Sequence, residues 1–316
     1  MKKRITMKLL LFIPAILCLL LLAVYLNHQV QLKREEKLRL PLGQLVEVDG
    51  RRMSVYSEGS GDVTLVFLSG GGTCSPILDF RSLYTLLTEE YRIAVVEKFG
   101  YGFSEVVDKE RDIDSVLADT RAALHAAGIR PPYILCPHSM SGLEALYWAQ
   151  QYPGEVRAIV GLDMAVPAYY EQMKISLPFL RAVSLAAKIG LTRLIPGGAD
   201  GEAVRHGTLS ASEKEIYRAV FHSRTATVSM INEVKAVREN ARKVGAGAVP
   251  QVPMLLFVSN GSGGTGFEED AWRKIPADYI KNARDAELIP LNCPHYVHDY
   301  EYKIISERIK AFLSRP

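Results

Sequence analysis

Cysteine is scarce in this chain of 316 residues: Cys18, Cys74, Cys136 and Cys293 are the four, and no two stand in a CxxC spacing. A disulfide framework and a zinc ribbon are thereby excluded. Cys18 falls within an apolar segment, and the other three read as small buried residues. An excess of charge of one sign is missing as well. The net charge is +3, and Lys2, Lys3, Arg4 and Lys8 all precede the apolar segment, so the remainder is near neutrality. Such a balance gives no electrostatic footprint for nucleic acid. No internal repeat or low-complexity tract is present. The glycine-rich run 261–266 (GSGGTG) has neither Walker spacing nor GxGxxG, so it reads as a loop and not as a phosphate cradle. No motif implies a metal or an organic cofactor.

What the chain does have is one long apolar stretch. Residues 9–26 carry no charge and are interrupted only by Pro14. As a helix they would span roughly 27 Å, close to the ~30 Å hydrocarbon core of a bilayer. The sequence after Leu26 (NHQVQ) and before Cys18 (AIL) suits neither signal-peptide cleavage nor lipoprotein processing. An uncleaved anchor over residues 1–26 is expected. The basic residues ahead of it favour a cytoplasmic N-terminus and an extracytoplasmic domain. Residues 27–43, with Lys33, Arg34, Glu35, Glu36, Lys37 and Arg39, read as a charged stalk.

From residue 44 onward, apolar runs alternate with helical patterns, which points to an α/β domain with a mostly parallel, doubly wound sheet. Runs 45–48 and 52–56 form a hairpin turning at Asp49-Gly50. Runs 63–68, 93–96, 133–136, 158–162, 253–258 and 286–289 have the continuous apolar character of strands buried on both faces. Helical periodicity covers 113–127, 143–151 and 303–313. Residues 165–248 break the alternation, holding helical segments and no convincing strand. They are expected to form a helical cap inserted between core segments 44–164 and 249–316, with a capping box at Ser210–Glu213 opening one helix.

The chemistry concentrates at 133–142 (YILCPHSMSG), where an apolar strand runs into Ser139 and a helix leaves it. A sharp strand–turn–helix junction would present the Ser139 hydroxyl beside a helix N-terminus. Pro137 and Ser141 stand where GxSxG has glycines. The segment 63–73 (VTLVFLSGGGT) places a glycine loop directly after a strand. The segment 92–104 (RIAVVEKFGYGFS) and the loop 291–301 (LNCPHYVHDYE) complete a set in fixed order.

Together these segments resemble the α/β-hydrolase family, over about residues 44–315. The resemblance implies Ser139 as nucleophile, with the backbone amides of Gly71 and Met140 forming an oxyanion hole. His295 aligns with the catalytic base and His298 with an accessory histidine; His138, beside the nucleophile, is the rival base. Glu97 replaces the family's structural Asp. The acid that usually follows the penultimate strand is missing, since Ser262 occupies that position. Asp163, at the end of the preceding strand, is assigned in its place; Glu268, Glu269 and Asp270 are the alternatives. The implied activity is hydrolysis of an ester or related acyl bond in a small-molecule acyl substrate, through an acyl-enzyme. Serine in the elbow argues against dehalogenase- or epoxide-hydrolase-like chemistry, which needs Asp there. An aminopeptidase of the proline-iminopeptidase type, and an inactive membrane-tethered binding or sensing module, are the alternatives. Tyr169, Tyr170, Phe179, Phe221 and Met230 are expected either to line the pocket from the cap or to form the cap's own core.

Overall fold

The computed structural model describes residues 2–315, with side chains from Ile13 onward except Gln172. Eight strands form one sheet: β1 (Gln44–Val48), β2 (Arg51–Glu58), β3 (Thr64–Leu68), β4 (Arg92–Glu97), β5 (Tyr133–Pro137), β6 (Val156–Leu162), β7 (Met254–Val258) and β8 (Ala286–Pro290). Their order is β1-β2-β4-β3-β5-β6-β7-β8. β2 is antiparallel to both β1 and β4, and all other pairs are parallel. The first hairpin turns where expected, with Asp49 at φ 50° and Gly50 at φ 69°. Positive φ at both positions is what a two-residue type I′ turn requires.

Strands β3, β5 and β7 are buried at every residue. Within β3 the two-residue period sorts side chains onto two cores. Val66 and Leu68 join the helices Ile113–Ala126 and Ser141–Gln151, whereas Leu65 and Phe67 join Phe80, Tyr84 and the helix Tyr302–Leu313. Each such side chain contributes about 1.5–3 kcal/mol by leaving water. Register is therefore strongly specified, because a one-residue slip would exchange the two cores.

Between β6 and β7 the described residues contain helices and no strand. The main ones are Leu177–Lys188, Ala211–Arg224 and Val228–Gly245. Ser210 and Glu213 form the expected reciprocal capping box. Polar contacts fix the third helix to the core. Ser229 accepts from the Val107 amide at 3.0 Å and donates to the Val107 carbonyl at 2.6 Å, and Glu233 is buried against Lys98 and the Tyr101 hydroxyl.

At the other end, a single helix covers Lys2–Arg34, and its part from Ile13 to Arg34 is long and apolar enough to cross a membrane, with mean hydropathy 1.8. The stretch 27–43, read as a charged stalk, docks in part on the cap. Helix residues continue past Leu26, and His28 is buried beneath Gly190, where a Cβ would fall 2.5 Å from that of His28. Arg193 donates to both Glu35 carboxylate oxygens at 2.7 Å and to His28 Nδ1 at 2.8 Å. One of the charges that look like a solvated spacer in sequence, Glu35, has its partner on the cap. A bidentate guanidinium–carboxylate pair gives that contact a fixed geometry.

Candidate active site

Strand β5 ends at Pro137, a residue that cannot donate to the sheet. The ladder continues through the next residue, with His138 N–H donating to the Leu68 carbonyl at 2.9 Å. Ser139 then adopts φ 52°, the left-handed region. For a residue other than glycine this costs roughly 1–3 kcal/mol and persists only where surroundings enforce it. Here the Ser139 carbonyl accepts from Gly142 N–H at 2.9 Å and Ala165 N–H at 2.8 Å, and the helix Ser141–Gln151 starts at once. Glycine is required at position 142, because a Cβ would lie 2.1 Å from the Ala165 carbonyl oxygen.

Ser139, His295 and Asp163 come together from three separate loops. Ser139 Oγ lies 2.8 Å from His295 Nε2, and His295 Nδ1 lies 2.5 Å from Asp163 Oδ2. An ionised carboxylate can only accept, so Nδ1 carries the proton and Nε2 is left to accept from the serine hydroxyl. Asp163 follows β6, itself at φ 51°, and is 1% exposed. Its carboxylate receives four hydrogen bonds from three residues: His295, the Ser259 amide at 2.7 Å, the Ser259 hydroxyl at 2.6 Å, and Trp272 Nε1 at 2.8 Å. Glu268, Glu269 and Asp270 are exposed, and Glu269 pairs with Arg273. None of the three meets His295. Ser262 contributes only its carbonyl, which accepts from the His295 amide at 2.9 Å.

His138 does not reach the serine. It is buried, with its ring against those of His295, Tyr296 and His298, and its Nε2 is 3.2 Å from the His295 carbonyl. Burial, and then the neighbouring imidazoles, hold its pKa well below the usual histidine range. His298 is fully buried and pushed down to about 3 by desolvation, with neither ring nitrogen hydrogen-bonded among the described residues. Both histidines are thus neutral supports around His295.

The glycine loop after β3 lies against the elbow. A Cβ on Gly70 would be 2.8 Å from the Ser139 Cβ, and one on Gly71 would be 2.8 Å from the Met140 terminal methyl carbon. The amides of Gly71 and Met140 have no acceptor among the described residues. Two free N–H donors beside a nucleophile are what a developing oxyanion needs, and each is worth about 3 kcal/mol in such sites. Ser141, in place of the motif's second glycine, donates to the Ser69 carbonyl and so ties this loop to the elbow helix.

Glu97 serves the fold. It is buried and accepts from the Phe103 amide at 2.8 Å, with Gly102 pressed against its carboxylate. Desolvation pushes its pKa up to about 7. Of the cap residues expected near the pocket, Tyr169 is buried and stacked on Trp272 at 4.1 Å, and Tyr170 and Met230 are also buried. Phe221 is half-buried. Phe179 departs from expectation: it is 65% exposed. The sequence reading also missed Ser259 and Trp272. A search for acids after β7 passes over Ser259, although a hydroxyl immediately after a buried strand is itself a signal.

Comparison with known proteins bears on the family and the fold. A family model described as alpha/beta hydrolase fold matches residues 63–179. The uncharacterized protein YbdG of Bacillus subtilis is 41% identical over 250 residues, which is 78% of this chain and 77% of that protein. Among solved structures, a Bacillus megaterium epoxide hydrolase superposes with TM-score 0.66 at 16% identity, covering 86% of this chain and all (100%) of that one. The haloalkane dehalogenase DbeA from Bradyrhizobium elkani superposes with TM-score 0.63 at 20% identity, covering 86% and 97%. At those identities the two structures speak for the fold alone. With its strand order, its elbow and a relative of that similarity, this chain belongs to the α/β-hydrolase family.

Proposed function

We propose that the protein is a serine hydrolase that cleaves a carboxylic ester or related acyl bond. The observation that carries this reading is the unbroken hydrogen-bonded path from Ser139 Oγ through His295 to a buried, fully partnered Asp163. Ser139 attacks the acyl carbonyl while His295 Nε2 takes its proton, and the oxyanion accepts from the Gly71 and Met140 amides. The protonated imidazole, held by Asp163, then gives its proton to the leaving alcohol as the C–O bond breaks. Water deprotonated by the same nitrogen attacks the acyl-enzyme, releasing the acid and restoring Ser139. Asp163 orients the ring and stabilises the imidazolium; it does not itself take the proton. A hydroxyl nucleophile suits acyl transfer, since the acyl-enzyme it forms is an ester that water can open.

The apolar helix would anchor this domain in a membrane through residues 9–26, with the N-terminus cytoplasmic and the domain outside. Labelling with a fluorophosphonate tests the chemistry. An adduct on the native chain that Ser139→Ala abolishes is expected; no adduct, or one that survives the substitution, refutes it. A panel of p-nitrophenyl esters and aminoacyl substrates then separates an esterase from an aminopeptidase. Protease accessibility in intact cells reads the orientation.

A further inference from the structure

The helix Leu177–Lys188 is inverted relative to a helix that only closes a cap. Its fully buried positions are the small Ser184 and Ala187, and Leu180 and Val183 are half-buried. Phe179 and Leu185 are 65% and 61% exposed, with exposed Ala182 between them on a helix face about 120° wide. Just beyond, Leu194 and Ile195 are 61% and 60% exposed. Among described residues after Val30, the other large apolar side chain this exposed is Leu40, which follows the docked end of the anchor helix. A concentrated apolar patch of this kind marks a surface that something covers. Arg181 and Lys188 are exposed on the same helix.

Position says what covers it. The cap touches the N-terminal helix at His28, two residues beyond Leu26, the last of the apolar run. At 1.5 Å per residue that is about 3 Å along the helix axis. Gly190 and Arg193, which make the contact, lie between Leu185 and Leu194 in the chain. No spacer lifts the cap away from the end of the apolar run. An apolar stripe flanked by cations, held at that level, has the composition of a segment lying in the lipid interface.

We infer that the outer face of the cap, built from Phe179, Leu185, Leu194 and Ile195 with Arg181 and Lys188, is a second membrane contact that seats the cap in the headgroup region of the bilayer. This rests on the anchoring reading above. The cap, and not only the anchor, then meets the lipid surface, and an amphiphilic acyl substrate would approach from that surface.

The test uses the full chain in vesicles of phosphatidylcholine with a minority of phosphatidylglycerol. An environment-sensitive fluorophore is placed singly on Phe179→Cys, Leu185→Cys or Leu194→Cys in a Cys18→Ser background. Asp62→Cys, in the exposed turn before β3 at the opposite end of the sheet, is the control, and native Cys18 reports the anchor. Cys74, Cys136 and Cys293 are buried and do not compete for label. Lipids spin-labelled near the headgroup should quench the three cap probes about threefold, lipids spin-labelled deep in the acyl chain should quench the Cys18 probe, and neither should affect the Asp62→Cys probe. Cap probes that behave like the control while Cys18 is quenched overturn the inference and leave the anchor standing. Loss of quenching at Cys18 as well overturns both. A cap probe that is blue-shifted yet unquenched by lipid means a second copy or another protein covers the face, which also overturns it. As a second arm, Phe179→Glu combined with Leu185→Glu should lower turnover of a long-chain acyl ester embedded in the vesicles about tenfold and spare a short soluble ester. Equal loss on both substrates counts against a membrane contact.

Discussion

Asp163 and Asp79 are both almost fully buried carboxylates, yet their surroundings differ in the one respect that decides charge. Asp163 receives hydrogen bonds from His295, from the amide and hydroxyl of Ser259, and from Trp272. Asp79 has the Tyr217 hydroxyl at 3.1 Å on one oxygen, and its other oxygen has no side-chain or backbone donor among the described residues. Desolvation pushes its pKa up to about 8, partly opposed by Tyr217 and the Ser75 backbone. Nearby Asp299 has neither oxygen bonded among the described residues, and desolvation, followed by proximity to the Asp79 carboxyl, raises it well above the usual range. Donors make a buried carboxylate affordable as an anion; without them it stays protonated. Glu233 shows the third solution, a buried cation, in Lys98.

If donors around Asp163 keep it ionised for a working histidine, Asp163→Asn should have the largest effect. We expect kcat on a short p-nitrophenyl ester to fall about 10⁴-fold, through loss of the correct His295 tautomer. Asp270→Asn and Asp79→Asn should leave it near the native value. Loss of activity in Asp270→Asn alone would break the assignment. Glu233→Ala comes next. It strands Lys98 in the interior and should cost about 3–5 kcal/mol of stability, read from chemical denaturation. A cost under about 1 kcal/mol would mean that water reaches the pair.

Ser259→Ala probes the donors themselves. It removes one of the two Ser259 bonds to Asp163 and keeps the amide, so kcat should drop about tenfold, the rate equivalent of one charge-assisted bond of about 1.5 kcal/mol. An unchanged kcat would show the remaining donors to be sufficient. Another effect concerns pH. The Asp79 carboxyl titrates near 8 when folded and near 4 when unfolded, so across that window the folded chain binds the extra proton. Its contribution is fully present below about pH 4 and is lost as pH rises through about 8. Asp79→Asn should therefore gain in melting temperature over the native chain as pH rises from about 5 to about 8. Parallel curves would place the titration elsewhere.

Much of the sheet was readable because strands buried on both faces must be continuous apolar runs, and runs such as 133–136 and 253–258 lie within one residue of the strands observed. Ser139 and His295 were readable for another reason. Each sits in a short segment whose local geometry is set by neighbours in sequence: the strand into the elbow, and the proline-containing loop before the last helix. Asp163 was harder, since its role depends on which side chains surround it. Ser259 and Trp272 come from other loops, and no spacing along the chain announces them.

The stalk and the cap show the same division. The charges at 27–39 have the composition of a solvated spacer, and composition alone cannot reveal that Arg193, far along the chain, is the partner of Glu35. Phe179 likewise reads as an apolar residue seeking a core, and only packing turned it outward. Sequence by itself determined the strands, the anchor-length apolar run, the elbow serine and the histidine loop, because periodicity and local turn geometry are properties of neighbouring residues. Tertiary structure decided which carboxylate meets His295, which of the buried acids keeps its proton, and which face of the cap is left bare. Those outcomes depend on burial and on donors brought from distant segments, which exist only once the chain has folded.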